Sequence, residues 1–240
     1  MPTKLILQFE KTEPVRFISQ LDMLRAIHRA LRRAEIPIAY SEGYNPQPRI
    51  SFAFALSVGL VSYGEYLEAL LKAPLSAEQF IADINAVLPL GLKFTNGCCL
   101  PEEMSFSVGR AVNCAAFTAW LSPEGCTDQA LLAHIQQFLC QEQIFVEKRN
   151  KKGTAIIDAK PGIYACVPRL WEDGGIELQF TLALSEQFTL RPDDFLQALC
   201  RGHAQIKRYI KNNTLIKSEQ EYLSPVEYIK NEIDRTKHHG

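Results

Sequence analysis

The sequence predicts an α+β protein made of two tandem ferredoxin-like (βαββαβ) halves. Three observations carry this. Alternating apolar and polar runs flank two stretches of helical periodicity within the first hundred residues. The order of those patterns is strand, helix, strand, strand, helix, strand. A second set of patterns in the same order follows, with extra residues between its middle strands. The expected boundaries are 1–105 for the first half, 106–225 for the second and 226–240 for a polar tail.

In the first half, "KLILQFEK" alternates from Leu5 to Phe9 and reads as a strand. Ser19 is a good helix N-cap, with Asp22 three residues on. From Gln20 to Glu35 the chain has no glycine or proline, and Leu24, Ile27, Leu31 and Ala34 recur at helical spacing. Pro37 marks the stop. "RISFAFAL" and "GEYLEALLKA" read as two strands. "SAEQFIADINAVL" reads as a helix capped by Ser76 and closed by Pro89 and Gly91, and "LKFTNGCCL" as the last strand.

In the second half, "AVNCAAFTAWL" is a strand and "TDQALLAHIQQFLCQE" a helix capped by Thr127. "IFVEKR" and "IELQFTLAL" are expected to be the two middle strands. The stretch between them, "NKKGTAIIDAKPGIYACVPRLWEDGG", is longer than a plain hairpin and is taken as an insertion. "RPDDFLQALCR" reads as a short helix with Pro192 near its start, and "TLIKSEQEYL" as the final strand. Identity between the halves is negligible, so the duplication is one of pattern. The tail "SPVEYIKNEIDRTKHHG" reads as a helix or a loose end.

Composition narrows the functional classes. No apolar run approaches the roughly 18 residues needed to cross a bilayer, and "MPTKLILQFEK" has no secretory h-region. Seven cysteines, at 98, 99, 114, 126, 140, 166 and 200, fit reduced thiols in a cytoplasmic protein better than a disulfide framework. The net charge of -1 is unevenly spread: residues 1–50 carry eight Lys/Arg against five Asp/Glu, as do residues 201–240. The middle of the chain is acidic. Basic ends allow a local anion-binding surface without making one necessary.

The first predicted helix carries Arg25, Arg29, Arg32 and Arg33. At about 100° per residue they share one flank beside the apolar stripe. Asp22 falls in the same arc and can pair with Arg25. A solvated face accounts for such a row; so does a surface for phosphates, which guanidinium groups bind through paired donors. Arg16, His28 and Arg49 lie close in sequence. The loop that follows, "IPIAYSEGYNPQPRISFAFAL", is stiffened by Pro46 and Pro48, which bias Asn45 and Gln47 away from helix. Gly43 permits a positive φ. Tyr40 and Tyr44 offer flat faces on which a base can stack, and Asn45 and Gln47 offer paired donors and acceptors. The alternative is a rigid connection with its tyrosines packed on the core.

A third basic stretch, "EKRNKKGTAIIDAK", gathers Lys148, Arg149, Lys151 and Lys152, either as a hairpin tip against a nucleic-acid backbone or as a soluble turn. Asp158 beside it is a helix cap or a catalytic carboxylate. Cys98-Cys99 has no partner pair at zinc spacing, no iron–sulfur cluster motif is present, and no P-loop, G-x-S-x-G or H-E-x-x-H occurs. His28, His134 and His203 stand apart, on predicted helices. No cofactor and no metal are therefore expected.

The segment "FEKTEPVRFISQLDMLRAIHRALRRAEIPIAYSEGYNPQPRISFAFALSVGLVSYGEYLEALL" resembles the radical SAM-linked (radical SAM-associated) protein family, a domain of unknown function. The family pattern is R-F-x-S-H-L-D, R-A-L-R-R, L-P, Y-S-x-G-F-N-P-H-P and L-x-V-G-x-x-S-x-x-E. Arg16, Phe17, Ser19, Leu21, Asp22, Arg25, Arg29, Arg32, Arg33, Pro37, Tyr40, Ser41, Gly43, Asn45, Pro46, Pro48, Gly59, Ser62 and Glu65 match it. The likeness is strong over residues 9–70 and weaker beyond. Two family histidines are replaced here by Gln20 and Gln47, which can hydrogen-bond but cannot titrate. The resemblance implies a companion to a separate radical SAM protein with a cobalamin-binding-type region, acting on RNA such as tRNA or rRNA.

The resulting expectation is an accessory RNA-binding protein that presents substrate to that enzyme, with no catalytic residues of its own. Two alternatives stand beside it. One is an RNA-processing or RNA-modifying enzyme built on Asp22 and Asp158; the other is a protein–protein scaffold for the radical SAM partner.

Overall fold

The computed structural model describes residues 3–150, 153–185, 187–219 and 221–238. Up to residue 113 the chain forms β1 (Thr3–Lys11), α1 (Gln20–Arg33), β2 (Ile50–Phe52), β3 (Val61–Leu71), α2 (Ala77–Asn85), β4 (Leu92–Leu100) and α3 (Val108–Ala111). It continues with β5 (Cys114–Pro123), α4 (Asp128–Leu139), β6 (Phe145–Asn150), β7 (Gly153–Asp158), β8 (Ile163–Leu170) and β9 (Ile176–Ala183). Last come α5 (Pro192–Cys200), β10 (Ala204–Lys217), β11 (Tyr222–Leu223) and α6 (Pro225–His238). The architecture is mixed α+β, with mostly antiparallel strands. Packing divides the chain into two units, 1–113 with 213–240, and 114–212; β10 gives its residues up to Asn212 to the second and the rest to the first.

In the first unit β1 pairs antiparallel with both β3 and β4, and β2 pairs antiparallel with β3. The order β4-β1-β3-β2 is that of the ferredoxin-like sheet. Alternation along β1 sends Leu5, Leu7 and Phe9 to one face, where Met23, Ile27 and Leu31 of α1 and Phe80 and Ile84 of α2 cover them. Ile6 points to the other face and packs with Tyr66, Leu100, Val226 and Ile229. The polar tail expected at 226–240 is therefore, as far as residue 238, helix α6, and its apolar residues cover the second face of this sheet. Both faces being covered explains why β1 and β3 are buried along most of their length. The C-terminal part of β10 is tied to β3, with the Thr214 hydroxyl donating to the Gly64 carbonyl at 2.8 Å and Tyr66 donating to Asn213 Oδ1 at 2.9 Å.

In the second unit the strand order is β10-β5-β9-β8. Phe117 of β5 stacks on Phe180 of β9 at 5.3 Å, and Phe195 of α5 packs on Phe180 at 5.2 Å. Here the structure corrects the sequence expectation. "IFVEKR" is not a strand of this sheet; it supplies most of β6, which among the described residues pairs with β7 as a separate two-stranded sheet. The partner of β9 is β8, which comes from the stretch taken as an insertion. That stretch reads as an insertion because it is longer than a plain hairpin. Pro168 lies on β8, the last strand in the order, and edge strands are where proline is accommodated in a sheet.

Candidate nucleic-acid interface

Helix α1 begins where its sequence directs. The Ser19 hydroxyl accepts the Asp22 N–H at 3.1 Å and donates to Asp22 Oδ2 at 2.7 Å. That bond first, and Arg25 after it, hold the exposed Asp22 carboxyl below the usual carboxylate range. Met23, Ala26, Ile27, Ala30 and Leu31 form the buried stripe. Leu24 and Ala34, expected within it, are only half-buried at its margins. Arg25, Arg29, Arg32 and Arg33 are all exposed. Arg25 pairs with Asp22 at 3.3 Å, and Arg33 donates to the Val87 carbonyl. Arg29 and Arg32 make no ion pair among the described residues. His28, half-buried behind this row, has a buried Nε2 with no hydrogen-bond partner among the described residues, and burial followed by the nearby Arg32 charge lowers its pKa.

After α1 the chain turns through Glu35, at φ 52°, and bridges Ile38 to Leu71 of β3. It then forms a tight hairpin closed by a Tyr40–Pro48 bridge. The Ser41 N–H donates to the Gln47 carbonyl at 2.9 Å, and the Gln47 N–H donates to the Ser41 hydroxyl at 3.0 Å. Gly43, at φ +117°, allows the turn. Tyr44 stands wholly in solvent at the tip, Tyr40 is 39% exposed, and Asn45, Gln47 and Arg49 are exposed. Neither tyrosine is a core residue. Beside the hairpin lies a shallow cavity of about 390 Å³, lined by Ser41, Gln47, Arg49, Ser51, Lys4 and Glu68 among others. Its charges are partly spent: Lys4 pairs with Glu68 at 2.7 Å and donates to the Phe106 carbonyl at 2.7 Å.

Sequence reasoning missed the polar cluster beneath α1. Lys11 ends β1 with 1% exposure and donates to the Ile18 carbonyl at 3.3 Å and, at 3.5 Å, to that of Ser57. It thereby ties the approach to α1 to the 57–60 loop. Ser62 donates to the buried Glu65 carboxylate at 2.7 Å, joining the S-x-x-E pair of the motif. A lysine at an inward position of a strand was the available signal.

The remaining candidates lie in the second unit. Lys148 Nζ donates to the Thr189 carbonyl at 3.2 Å, so it is held against its own unit. Lys151 and Lys152, and the side chain of Arg149, lie outside the described residues. Asp158 Oδ1 accepts the N–H groups of Ile144 and Lys160, each at 3.0 Å, a turn-fixing role. His134 on α4 and His203, which follows α5 rather than lying on a helix, stack at 3.7 Å. Among the described residues no group of three His, Cys, Asp or Glu could hold a metal. Burial pushes the Cys98 thiol up to about 11 and those of Cys166 and Cys200 up to about 12, the reverse of an activated nucleophile.

Fold and site together define an α+β protein whose first unit displays a cationic helix face and a stiff, aromatic-tipped hairpin. The chain belongs to the family described as an uncharacterized protein conserved in bacteria, DUF2344, whose profile matches residues 4–192. No curated protein matches it. Among solved structures it is similar to a chain of a Cbf5–Nop10–Gar1 complex, at 8% identity and a TM-score of 0.51, over 94% of this chain and 54% of that one. The chain thus spans about half the length of that relative, and the likeness is one of fold. A protein assigned as a glycine cleavage system transcriptional repressor aligns at 11% identity over 88% of this chain and 99% of that chain, with a TM-score of only 0.24.

Proposed function

We propose that this protein is a cytoplasmic accessory RNA-binding protein that presents substrate RNA to a separate radical SAM enzyme. Its two units are read as tandem ferredoxin-like halves, the second carrying the β6–β7 hairpin as its insertion. No helix among the described residues is long and apolar enough to cross a membrane. The observation that carries the proposal is the outward pair Arg29 and Arg32: two guanidinium groups on one helix, exposed and in no ion pair among the described residues. The radical SAM partner rests on the motif resemblance.

Against the enzyme alternative, Asp22 is engaged in capping and Asp158 in holding two backbone N–H groups. The test has two parts. A pull-down with RNA sequencing and mass spectrometry on the same eluate identifies the RNA and the partner. Affinity for that RNA across a salt series then compares wild type with Arg29→Gln and Arg32→Gln. Each variant is expected to shrink the slope of log affinity against log salt by about 0.7, the single-strand value per phosphate. Unchanged slopes in both would reduce the arginine row to a solvated face.

A further inference from the structure

Three large apolar side chains lie exposed around the entry to α1: Phe17 at 68%, Val58 at 59% and Leu21 at 53%. They belong to one local arrangement. The Gly59 N–H donates to the Arg16 carbonyl at 2.8 Å, fixing the 57–60 loop against residues 16–17. A Cβ on Gly59 would lie 3.7 Å from the Phe17 ring, so the ring rests on this loop. The Arg16 guanidinium sits 4.5 Å from the centre of the same ring, while Glu13 holds it at 3.0 Å. The core does not take up these side chains, and the loop and ion pair hold the Phe17 ring in place.

We propose that Arg16 and Phe17 form a base-stacking platform for single-stranded RNA at the N-terminal end of α1. This rests on the RNA reading above and names its base site. Nucleobases stack on aromatic rings and on guanidinium planes, and here both are already stacked together. The choice of a nucleic-acid strand over an apolar protein surface comes from what lies next along the helix. At about 100° per residue, Leu21, Arg25 and Arg32 fall within about 40° of one another on the outward face. A rise of 1.5 Å per residue puts Arg29 about 6 Å, and Arg32 about 10 Å, beyond Arg25. An apolar stacking site followed by a ladder of cations fits a base with its trailing phosphates. Leu21 and Val58 form the walls beside the base.

The experiment measures binding of a fluorescein-labelled single-stranded adenosine homopolymer to wild type, Phe17→Ala, Phe17→Trp, Arg16→Gln and Leu21→Glu, at several salt concentrations, with thermal unfolding in parallel. Phe17→Ala is expected to weaken binding roughly five- to hundredfold, the size of one lost stack, with the salt slope unchanged. Phe17→Trp restores binding, and Leu21→Glu weakens it by placing a carboxylate in the phosphate path. Should Phe17→Ala lose its fold, Leu21→Glu and Arg16→Gln carry the test. Wild-type affinity in Phe17→Ala, Arg16→Gln and Leu21→Glu, alongside reduced salt slopes in Arg29→Gln and Arg32→Gln, overturns the platform and leaves the RNA reading standing. Absence of binding by wild type overturns both. Retained RNA affinity with loss of a co-purifying protein in Phe17→Ala makes the patch a protein dock and overturns the platform.

Discussion

Gln20 Oε1 accepts the backbone N–H of Leu56 at 3.3 Å, pinning the loop after β2 to the first residue of α1. Gln20, a histidine in the pattern this segment resembles, here serves a hydrogen bond to a neighbouring loop. Gln20→Ala should leave the N–H of the buried Leu56 without its acceptor and cost about 1–3 kcal/mol. In Gln20→His a neutral imidazole can accept the same bond, whereas the protonated ring cannot. The folded state then holds the imidazole pKa below its unfolded value of about 6.5. The stability of Gln20→His is therefore present above that value and lost as pH falls. Chemical unfolding of both variants between pH 5 and 8 checks this; a pH-independent difference between them would contradict it.

Lys11 gives a second pH-linked expectation. Burial lowers its pKa, with the Glu65 charge acting in the opposite sense. The unfolded chain binds this proton more tightly, so the contribution of Lys11 rises with pH across the window between its folded value and about 10.5. Lys11→Met should remove that rise and cost about 1.5–3 kcal/mol at neutral pH through the lost bonds of a charged donor. The measurement is the difference between wild-type and variant stability from pH 7 to 10.5. It should grow with pH, and a flat difference would mean that burial does not shift this lysine.

Tyr44 separates binding from folding. It lies wholly in solvent, and the hairpin beneath it is held by backbone bonds, so Tyr44→Ala should leave the unfolding midpoint unchanged. If a base stacks on the ring, RNA affinity falls by about 1–3 kcal/mol. Unfolding and binding measured on the same preparation decide it, and unchanged affinity would remove Tyr44 from the interface.

Asp158 distinguishes a turn-fixing carboxylate from a catalytic one. Asp158→Ala should cost about 1–3 kcal/mol of stability, because two backbone N–H groups lose their acceptor. Asp158→Asn, which keeps an acceptor oxygen, should cost less. A catalytic role without the turn-fixing one would instead leave Asp158→Ala nearly as stable as wild type, with any RNA-modifying activity lost in both variants.

The local chemistry of the chain was legible in its sequence. Ser19, Ser76 and Thr127 cap the helices they were expected to cap, each accepting the N–H three residues on, because a capping bond closes within one turn. The arginine row was legible for the same reason: helical geometry puts Arg25, Arg29, Arg32 and Arg33 on one flank whatever surrounds them. The turn at Gly43 and the restriction by Pro46 and Pro48 were legible because each acts on its own backbone. Tertiary structure alone decided which strands pair. An alternating run shows which of its residues share a face but not which strand lies beside it, and so β8 was taken for an insertion and β6 for a sheet strand. The same limit hid α6 as the cover of the second face of the first sheet, and Lys11 as the tie between two loops. It hid Phe17 as well: whether a phenylalanine is core or surface depends on which segments come to rest against it, and here Gly59 and Arg16 lie against the ring while most of it stays in solvent.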